Sequence, residues 1–191
     1  DLEKEKMRGI VAGSLQKAFE IHESLGAAGE EQVQKNQFGE TAFLADIEAE
    51  KAVLDFLKQN RVPIKVISEE HGITEIGNPK YLGVLDGLDG SMVYKTERGR
   101  GRYGTMFGIF KTLDPLYKEY VVSGIMEHST KKLFIASKGA GAYMVHKGIT
   151  TPLRASGNLT LGPATRICID EYWEINRKIF SDRLQGFQTH D

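Results

Sequence analysis

Two stretches near the start of the chain place apolar residues at intervals of three and four, the spacing of one face of an α-helix. The first predicts a helix over residues 3–26 that ends at Gly26. The second predicts a helix from about Thr41 to Gln59. The segment 27–40 between them is polar and is expected to be a connection. The inner faces of the two predicted helices comprise Met7, Ile10, Val11, Leu15, Ala18, Phe19, His22 and Leu25, and then Phe43, Leu44, Ile47, Val53, Leu54 and Leu57.

After Arg61 the pattern changes to short apolar runs separated by turn residues, which predicts β-strands. A further helix is predicted over residues 171–184, with Trp173 and Ile179 among its apolar positions. Two helices, a mostly antiparallel meander and a last β–α unit predict an α+β fold with helices packed on a sheet. The predicted strands are VPIKVIS, YLGVL, residues 103–110, 119–127 and 132–137, a short strand within GAGAYMVHKG, and residues 165–170.

The composition is that of an ordinary globular protein, because 40% of the 191 residues are hydrophobic and 27% are charged. A net charge of -1 gives no general attraction to nucleic acid or to anionic membranes, so neither is expected as a partner. The single Cys168 excludes an internal disulfide, which favours a reducing cytoplasm. No apolar run approaches the ~18 residues that span a bilayer. Because the chain lacks an initiator Met, we expect that its first residues are missing.

Acidic residues stand within or at the ends of several predicted elements. Asp46 lies in the second helix, Glu69 and Glu70 close the run VISEE, and Asp86 and Asp89 close YLGVLDGLDG. Two strands that end in carboxylates can bring them together at one edge of a sheet, where ligand crevices commonly open. Two unit charges 4 Å apart repel by roughly 4 kcal/mol at an effective dielectric constant of 20. The cluster therefore predicts a bound cation.

The chemistry of these ligands favours Mg²⁺, since they are hard oxygen donors without His or Cys. A pair of such ions ~3.5 to 4 Å apart would let Asp86 bridge both and would hold an attacking water and a leaving oxygen in line. This arrangement predicts hydrolysis of a phosphate ester. Gly87 and Gly90 allow a tight turn, and the amides of Gly90 and Ser91 can face a phosphate if a helix begins nearby.

Simpler interpretations exist for each stretch alone. An Asp-x-x-Asp-Gly stretch is also typical of a solvated turn, and a Glu-Glu pair is commonly found on the surface. An EF-hand, with Glu97 at loop position twelve, is excluded because loop positions three, five and six would be Leu88, Gly90 and Ser91. His71 follows the Glu pair and could contact the metal ligands without binding the metal itself, but a surface or packing role is favoured. Only the combination of the two acidic stretches favours a metal site.

These stretches resemble the inositol monophosphatase and fructose-1,6-bisphosphatase superfamily of Mg²⁺-dependent, lithium-sensitive phosphatases. The family pattern is Gly-Asp-x-x-Thr-x-x-Asp, then Gly/Ser-Glu-Glu, then Asp-Pro-Leu/Ile-Asp-Gly-Thr/Ser. The corresponding stretches here are GETAFLAD, SEE and DGLDGS, and SKGAGAYMVHKG is similar to the family's Lys-Gly-x-Gly-Ala-x-x-Asn-Gly. The resemblance covers nearly the whole chain. It implies a layered α/β/α/β sugar-phosphatase fold, with an N-terminal α+β metal- and phosphate-binding portion over 1–155 and the start of a C-terminal α/β portion over 156–191.

The resemblance also implies a set of metal ligands. Glu69 would bind the first metal, Asp86 would bridge both metals, and Asp89 would bind the second. The backbone carbonyl of Leu88 would complete the first site, and Glu70 would be an accessory ligand.

By the same resemblance, Ser91 would bind phosphate and, paired with Asp46, help to deprotonate the water. Glu69, Asp46 and Ser91 are thereby the implied catalytic residues, and Asp89, Gly90 and Ser91 the implied substrate contacts.

The chain departs from the family pattern at several positions. Gly87 stands for the family's proline, Glu40 for its aspartate and Phe43 for its threonine. The family's C-terminal Trp-Asp-x-Ala-Ala-Gly segment, whose aspartate ligates the second metal, is absent from these residues. Asp170 follows a predicted strand, but DEYWE is better interpreted as the start of a capped helix.

The combined interpretation is a cytoplasmic, homodimeric, Mg²⁺-dependent phosphatase that hydrolyses a small phosphorylated polyol, sugar or nucleotide by metal-activated water. SEE with LDGS leans slightly toward the fructose bisphosphatase branch. The alternative is a non-catalytic relative that binds a phosphometabolite or a protein and has lost the C-terminal metal ligand. A third hypothesis is an RNA-binding loop built on Lys95, Arg98, Arg100 and Arg102, although a basic loop beside an anionic substrate is favoured.

Overall fold

The computed structural model describes residues 2–36, 39, 41–97, 101–157, 160, 166–168 and 188–190. The chain divides into two compact units, Asp1–Leu153 and Arg154–Asp191. In the first unit the described helices are α1 (Leu2–Leu25), a 3₁₀ helix (Gly26–Glu30), α2 (Leu44–Gln59), α3 (Ser91–Glu97) and a second 3₁₀ helix (Tyr117–Glu119). Its described strands are β1 (Gln32–Lys35), β2 (Thr41–Phe43), β3 (Ile64–Ser68), β4 (Gly72–Ile76), β5 (Tyr81–Asp89), β6 (Gly104–Phe110), β7 (Tyr120–Glu127), β8 (Lys132–Ser137), β9 (Gly141–His146) and β10 (Ile149–Leu153).

Eight of the strands in the first unit form one sheet in the order β10-β9-β8-β7-β6-β5-β3-β4. Strands β3 and β5 are parallel, with Ser68 opposite Leu85, and the other neighbouring pairs are antiparallel. In the second unit, β11 (Arg166–Cys168) pairs in parallel with β12 (Gln188–His190). The predicted α+β fold with a mostly antiparallel sheet is thus confirmed.

The core lies between one face of the sheet and the helices α1 and α2. Helix α1 contacts β6, β7 and β8, and helix α2 contacts β5 and β4. Side chains of a strand alternate between faces, so the neighbours of core residues point away from the helices. Val66 and Leu85 are buried, for example, whereas Ile67 and Val84 are exposed. No helix among the described residues combines the length and apolar character needed to cross a membrane.

The polar segment predicted as a connection contains secondary structure. It begins with the 3₁₀ helix and continues as β1, which pairs with β2, with Gln32 opposite Phe43. Because Thr41–Phe43 is engaged in this pairing, α2 begins at Leu44 and not at Thr41. The four residues of β1 are all exposed, so they lack the apolar alternation by which a strand is recognised.

Two further predictions need correction. Strand β4 was missed because it is an edge strand with alternate residues open to solvent, and Ile73 is 63% exposed. Strand β5 continues past the apolar run to Asp89, so the two aspartates belong to the strand. The helix predicted over 171–184 and the position of Glu40 lie outside the described residues.

Candidate active site

Four of the predicted acids, Asp46, Glu69, Glu70 and Asp86, meet beside the first turn of α2, whereas Asp89 at the end of β5 is exposed. Because the two strands are parallel and Ser68 lies opposite Leu85, Glu69 and Glu70 follow β3 next to Asp86 in β5. Asp46 in the first turn of α2 interacts electrostatically with Glu70, Asp86 and Glu69. We call the group formed by Asp46, Glu50, Glu69, Glu70 and Asp86 the acid cluster.

Glu50 anchors the turn after β3 to helix α2. Its carboxylate is fully buried and accepts hydrogen bonds from the backbone amides of Glu69 (3.0 Å), Glu70 (3.2 Å) and His71 (3.0 Å). The Nδ1 atom of His71 lies 2.9 Å from the same carboxylate. Glu50 was not among the predicted site residues, although it stands one helical turn after Asp46 on the buried face of α2. The His71 ring, for which a surface or packing role was favoured, therefore contacts the buried Glu50 carboxylate directly.

Asn36 contributes a hydrogen-bond donor to the acid cluster from the end of β1. Its Nδ2 atom donates to Glu69 Oε1 at 2.7 Å and to Glu70 Oε1 at 3.3 Å. The neutral amide binds both carboxylates but does not neutralise their charge. Asn36 could not be identified from the sequence because its segment lacks the pattern of a strand.

Burial and mutual repulsion raise the pKa values of several members of the acid cluster. Burial, followed by the charges of Glu70, Glu50, Asp86 and Glu69, raises the pKa of Asp46 to about 9. Asp46 Oδ1 is buried and has no hydrogen-bond partner among the described residues. Burial is also the main cause of the raised pKa of Glu70. The charges in this cluster are therefore poorly compensated by protein groups.

The pKa of Asp86 is also raised, although one hydrogen bond acts to lower it. Burial raises the pKa of Asp86 to about 7, although its Oδ1 accepts a hydrogen bond from the Leu88 amide at 3.0 Å. The charges of Asp89, Glu69 and Glu50 act in the same direction as burial. The two aspartates of the DGLD stretch thus repel each other as predicted.

Gly87 lies directly against the acid cluster. A Cβ atom at this position would lie 2.4 Å from Asp46 Oδ1, 2.7 Å from the Asp46 carbonyl oxygen and 2.8 Å from Glu50 Cγ. Only glycine fits at this distance from α2, because one of the contacts is with backbone that cannot rotate away. Gly87, which stands where the family pattern has proline, is thus the residue that the close approach of α2 to β5 requires here.

The strand ends in a turn that leads into a short helix. The pairing of β5 with β6 shifts in register between Asp86 and Asp89. Gly90 follows with a φ of +83°, a conformation that glycine adopts without strain, and α3 begins at Ser91. Helix α3 thus begins beside the Gly90 and Ser91 amides, as their predicted contact with a phosphate needs. The Leu88 side chain is buried and packs in a second apolar cluster with Phe43, Ala45 and Tyr94.

The carboxylate oxygens of the acid cluster are hard ligands of the kind that binds Mg²⁺. An uncompensated carboxylate site produces the raised pKa values of Asp46 and Asp86 and an Asp46 Oδ1 that finds no partner in the described part of the chain. Within the described part of the chain, no three His, Cys, Asp or Glu side chains are close enough to enclose a metal ion by themselves. Mg²⁺ is usually held by one or two carboxylates with waters and substrate phosphates, so a full protein cage is not required.

The basic loop after α3 is described only in part. Arg98 and Arg100 lie outside the described residues. The side chain of Arg102 is 85% exposed, and its Nε lies 3.7 Å from a carboxylate oxygen of Glu127. A surface ion pair of this kind contributes little to stability.

No family model matches the sequence, and no curated protein matches it. Solved structures match it in fold. The extragenic suppressor protein SuhB from Bartonella henselae aligns with a TM-score of 0.70 at 16% identity, over 95% of this chain and 68% of that chain. Inositol monophosphatase II from Staphylococcus aureus aligns with a TM-score of 0.69 at 18% identity, over 97% and 66% of the two chains. Fructose-1,6-bisphosphatase from Leishmania major in its holo form aligns with a TM-score of 0.66 at 15% identity, over 95% and 66%.

The chain has the inositol monophosphatase and fructose-1,6-bisphosphatase fold. The resemblance drawn from the sequence motifs is confirmed at the level of the fold, and it is shared with enzymes named as phosphatases. The chain covers 68%, 66% and 66% of these three structures, which is about two thirds of their length. The roles of individual residues in this inositol monophosphatase fold stay predictions.

Proposed function

We propose that the protein is a cytoplasmic, Mg²⁺-dependent phosphatase of the inositol monophosphatase and fructose-1,6-bisphosphatase superfamily. Its substrate class would be a small phosphorylated polyol, sugar or nucleotide. The observation that carries the proposal is the acid cluster, in which carboxylates from α2, β3 and β5 meet with raised pKa values and an unpartnered oxygen. A cation that compensates this cluster and binds a phosphate explains why the crowding is tolerated.

In this proposal the metal would be held by one or two carboxylates drawn from Glu69, Glu70, Asp86 and Asp89, together with the Leu88 carbonyl and water. When bound, Mg²⁺ would neutralise phosphate charge and lower the pKa of a water molecule. The chain's own contribution is to hold these ligands in place. Glu50 fixes the backbone of Glu69 and Glu70, and Asn36 orients their carboxylates.

Asp46 would accept the proton of the attacking water, and the passage of that proton through the Ser91 hydroxyl rests on the family resemblance alone. Asp46 Oδ1 is an acceptor without a partner among the described residues, so it can accept a proton when the charge of the cluster is compensated. The water oxygen forms a bond to phosphorus as the ester P–O bond breaks. The leaving alkoxide takes a proton from solvent, and no covalent phosphoenzyme is formed.

The test is phosphate release by the full-length protein from a panel of inositol, sugar and nucleotide monophosphates, with and without Mg²⁺. We expect release that requires the metal and that Asp89→Asn lowers by about 10²–10³-fold, the usual loss when one stabilising group is removed from a reaction site. The matched control is Glu75→Gln, an exposed carboxylate on β4 that pairs with Lys65 and should leave the rate unchanged.

Turnover without metal, or full activity of Asp89→Asn, would refute the proposal. Binding of an inositol phosphate without release in the presence of Mg²⁺ would instead support the non-catalytic relative.

A further inference from the structure

The carbonyl of Gly87 is held by a buried side chain. Between Asp86 and Asp89 the ladder of β5 and β6 is interrupted. Within this interruption the Gly87 carbonyl accepts a hydrogen bond from the Thr105 hydroxyl at 2.7 Å, and Thr105 on β6 is fully buried. The loop that carries the proposed metal ligands is therefore tied to the next strand through a side chain.

A second buried group sets the direction of that hydroxyl. His128 Nε2 lies 2.9 Å from Thr105 Oγ1. A hydroxyl has one proton, and a carbonyl can only accept, so the Thr105 proton must point to Gly87. Thr105 Oγ1 then accepts from His128, which must carry its proton on Nε2. The hydrogen-bond network thereby assigns the His128 tautomer.

His22 lies beside the same carbonyl. Its Nε2 atom is 3.5 Å from the Gly87 oxygen, a long contact, and its ring centroid is 4.0 Å from that of His128. Burial lowers the pKa of His22 to about 4 and the pKa of His128 to about 2, so both rings are neutral at physiological pH. We call His22, Thr105 and His128 the histidine cluster.

One peptide unit links the histidine cluster to Asp86. The carbonyl of Gly87 and the amide of Leu88 belong to the same planar peptide group and point in opposite directions. Thr105 holds the carbonyl end at 2.7 Å, while the amide end donates to Asp86 Oδ1 at 3.0 Å. Rotation of this peptide would break both hydrogen bonds together. Glycine restrains such rotation least, so the restraint has to come from outside the loop.

We propose that Thr105 and His128 are positioning residues for the metal ligands, because they fix the Gly87–Leu88 peptide that orients the Asp86 carboxylate and the Leu88 carbonyl. The inference rests on the proposed function, since it assigns the role that these residues have in that same site. Metal binding should therefore depend on the hydrogen bonds from His128 to Thr105 and from Thr105 to the Gly87 carbonyl, although neither side chain binds the metal.

The experiment measures binding of Mn²⁺ alone to the full-length protein by electron paramagnetic resonance. Thr105→Val and His128→Phe remove the hydroxyl and the ring donor with little change in volume, and each should weaken Mn²⁺ binding by about 10-fold, as is usual for groups that orient a ligand. Thr105→Ser and His128→Gln keep a hydroxyl and an N–H donor, and they should restore binding. Val122→Ala, a core truncation on β7, serves as a control that lowers stability without weakening Mn²⁺ binding.

A second measurement examines the network in the unmodified protein. Nitrogen chemical shifts of the histidine rings distinguish the two neutral tautomers, and we expect His128 to carry its proton on Nε2. A proton on Nδ1 would overturn the inference even if the valine variant failed to fold.

Equal Mn²⁺ affinity of Thr105→Val and the wild type would overturn the inference and leave the proposed phosphatase intact. Loss of affinity in Val122→Ala equal to that in Thr105→Val would also overturn it, because the effect would then follow stability. Absence of Mn²⁺ binding and of Mg²⁺-dependent phosphate release in the wild type would overturn both proposals.

Discussion

The acid cluster is partly buried and the histidine cluster is buried, and both contact Gly87, yet burial has opposite effects on their pKa values. In the acid cluster, burial and like charges raise the pKa values of Asp46 and Asp86 to about 9 and about 7. In the histidine cluster, burial lowers the pKa values of His22 and His128 to about 4 and about 2. Burial disfavours the charged form in each case.

The difference shows which cluster needs protons or a cation to relieve its repulsion. A histidine that loses its proton becomes neutral and can still donate a hydrogen bond, so the histidine cluster is stable without a charged partner. Several carboxylates side by side can avoid repulsion only by binding protons or a cation. Three predictions test this contrast between a cluster that needs compensation and one that does not.

The largest effect is expected for Glu50→Ala. The substitution leaves the amides of Glu69, Glu70 and His71 without their acceptor. Hydrogen bonds to a charged group contribute roughly 1.5–3 kcal/mol each, and relief of repulsion with Asp46 offsets part of the loss. The free energy of unfolding should therefore fall by about 3 kcal/mol, as measured by urea denaturation of the metal-free protein.

The control for this substitution is Asp55→Asn on the same helix. Asp55 is solvent-accessible and pairs with Lys51 at 2.9 Å, so its replacement should change the free energy of unfolding by less than about 0.5 kcal/mol. A loss in Glu50→Ala no larger than in this control would mean that Glu50 does not anchor the turn.

A smaller effect is expected for Gly87→Ala, which crowds the point where the two clusters meet. The new Cβ would overlap the Asp46 carbonyl and Glu50 Cγ, and overpacking of this kind costs about 1–3 kcal/mol. Thermal unfolding should report this loss. Gly9→Ala provides the contrast, because Gly9 lies in α1 with nothing within 4 Å of its Cβ position. It should stabilise the protein by up to about 1 kcal/mol, and a similar gain in Gly87→Ala would disprove the close approach of α2.

The smallest effect is the dependence of stability on pH that comes from the histidine cluster. The pKa of His22 is about 4 in the folded state, against 6.5 as the ordinary value, so the unfolded state binds more protons below pH 6.5. The contribution of His22 to stability is complete above pH 6.5 and is lost as the pH falls toward 4. His128 acts in the same direction over a wider range, since its pKa is about 2. Each histidine should lower the free energy of unfolding by about 1 kcal/mol between pH 7 and pH 5.5.

Urea denaturation at a series of pH values measures this dependence. The raised pKa values of Asp46 and Asp86 act in the opposite direction, so each variant is compared with the wild type at the same pH. Relative to the wild type, the double variant His22→Gln and His128→Gln should gain about 2 kcal/mol in the free energy of unfolding as the pH falls from 7 to 5.5, whereas His146→Gln, which is outside the histidine cluster, should not. A constant difference between the double variant and the wild type would show that these rings are not neutralised by burial.

Much of the fold was predictable because its signals are local. The apolar spacing of α1 and α2 and the runs of β3, β5, β6, β7 and β8 each lie within a few consecutive residues. Strands β1 and β10 were missed because all of their residues are exposed, and β4 was missed because it is an edge strand with only Ile76 buried. For the same reason the start of α2 was placed too early, at Thr41.

Part of the candidate site was also predictable. The proximity of Glu69 and Asp86 follows from two neighbouring strands that end in acids, and the structure brings them together. The roles of Glu50 and Asn36 were not predictable, since a buried Glu in a helix and an Asn in a polar segment have no local pattern that identifies their partners. Their hydrogen bonds join residues far apart in the chain.

By itself, the sequence determined the helices and strands that have a buried apolar face and the chemical groups that the site has available, because periodicity and residue chemistry are properties of the chain. Only the tertiary structure decided that one Asp46 oxygen has no partner among the described residues, that Gly87 has no room for a side chain, and that two histidines become neutral beside it. Burial and electrostatic shifts depend on all groups packed around a side chain, and those groups come from separate elements that meet only in the folded protein.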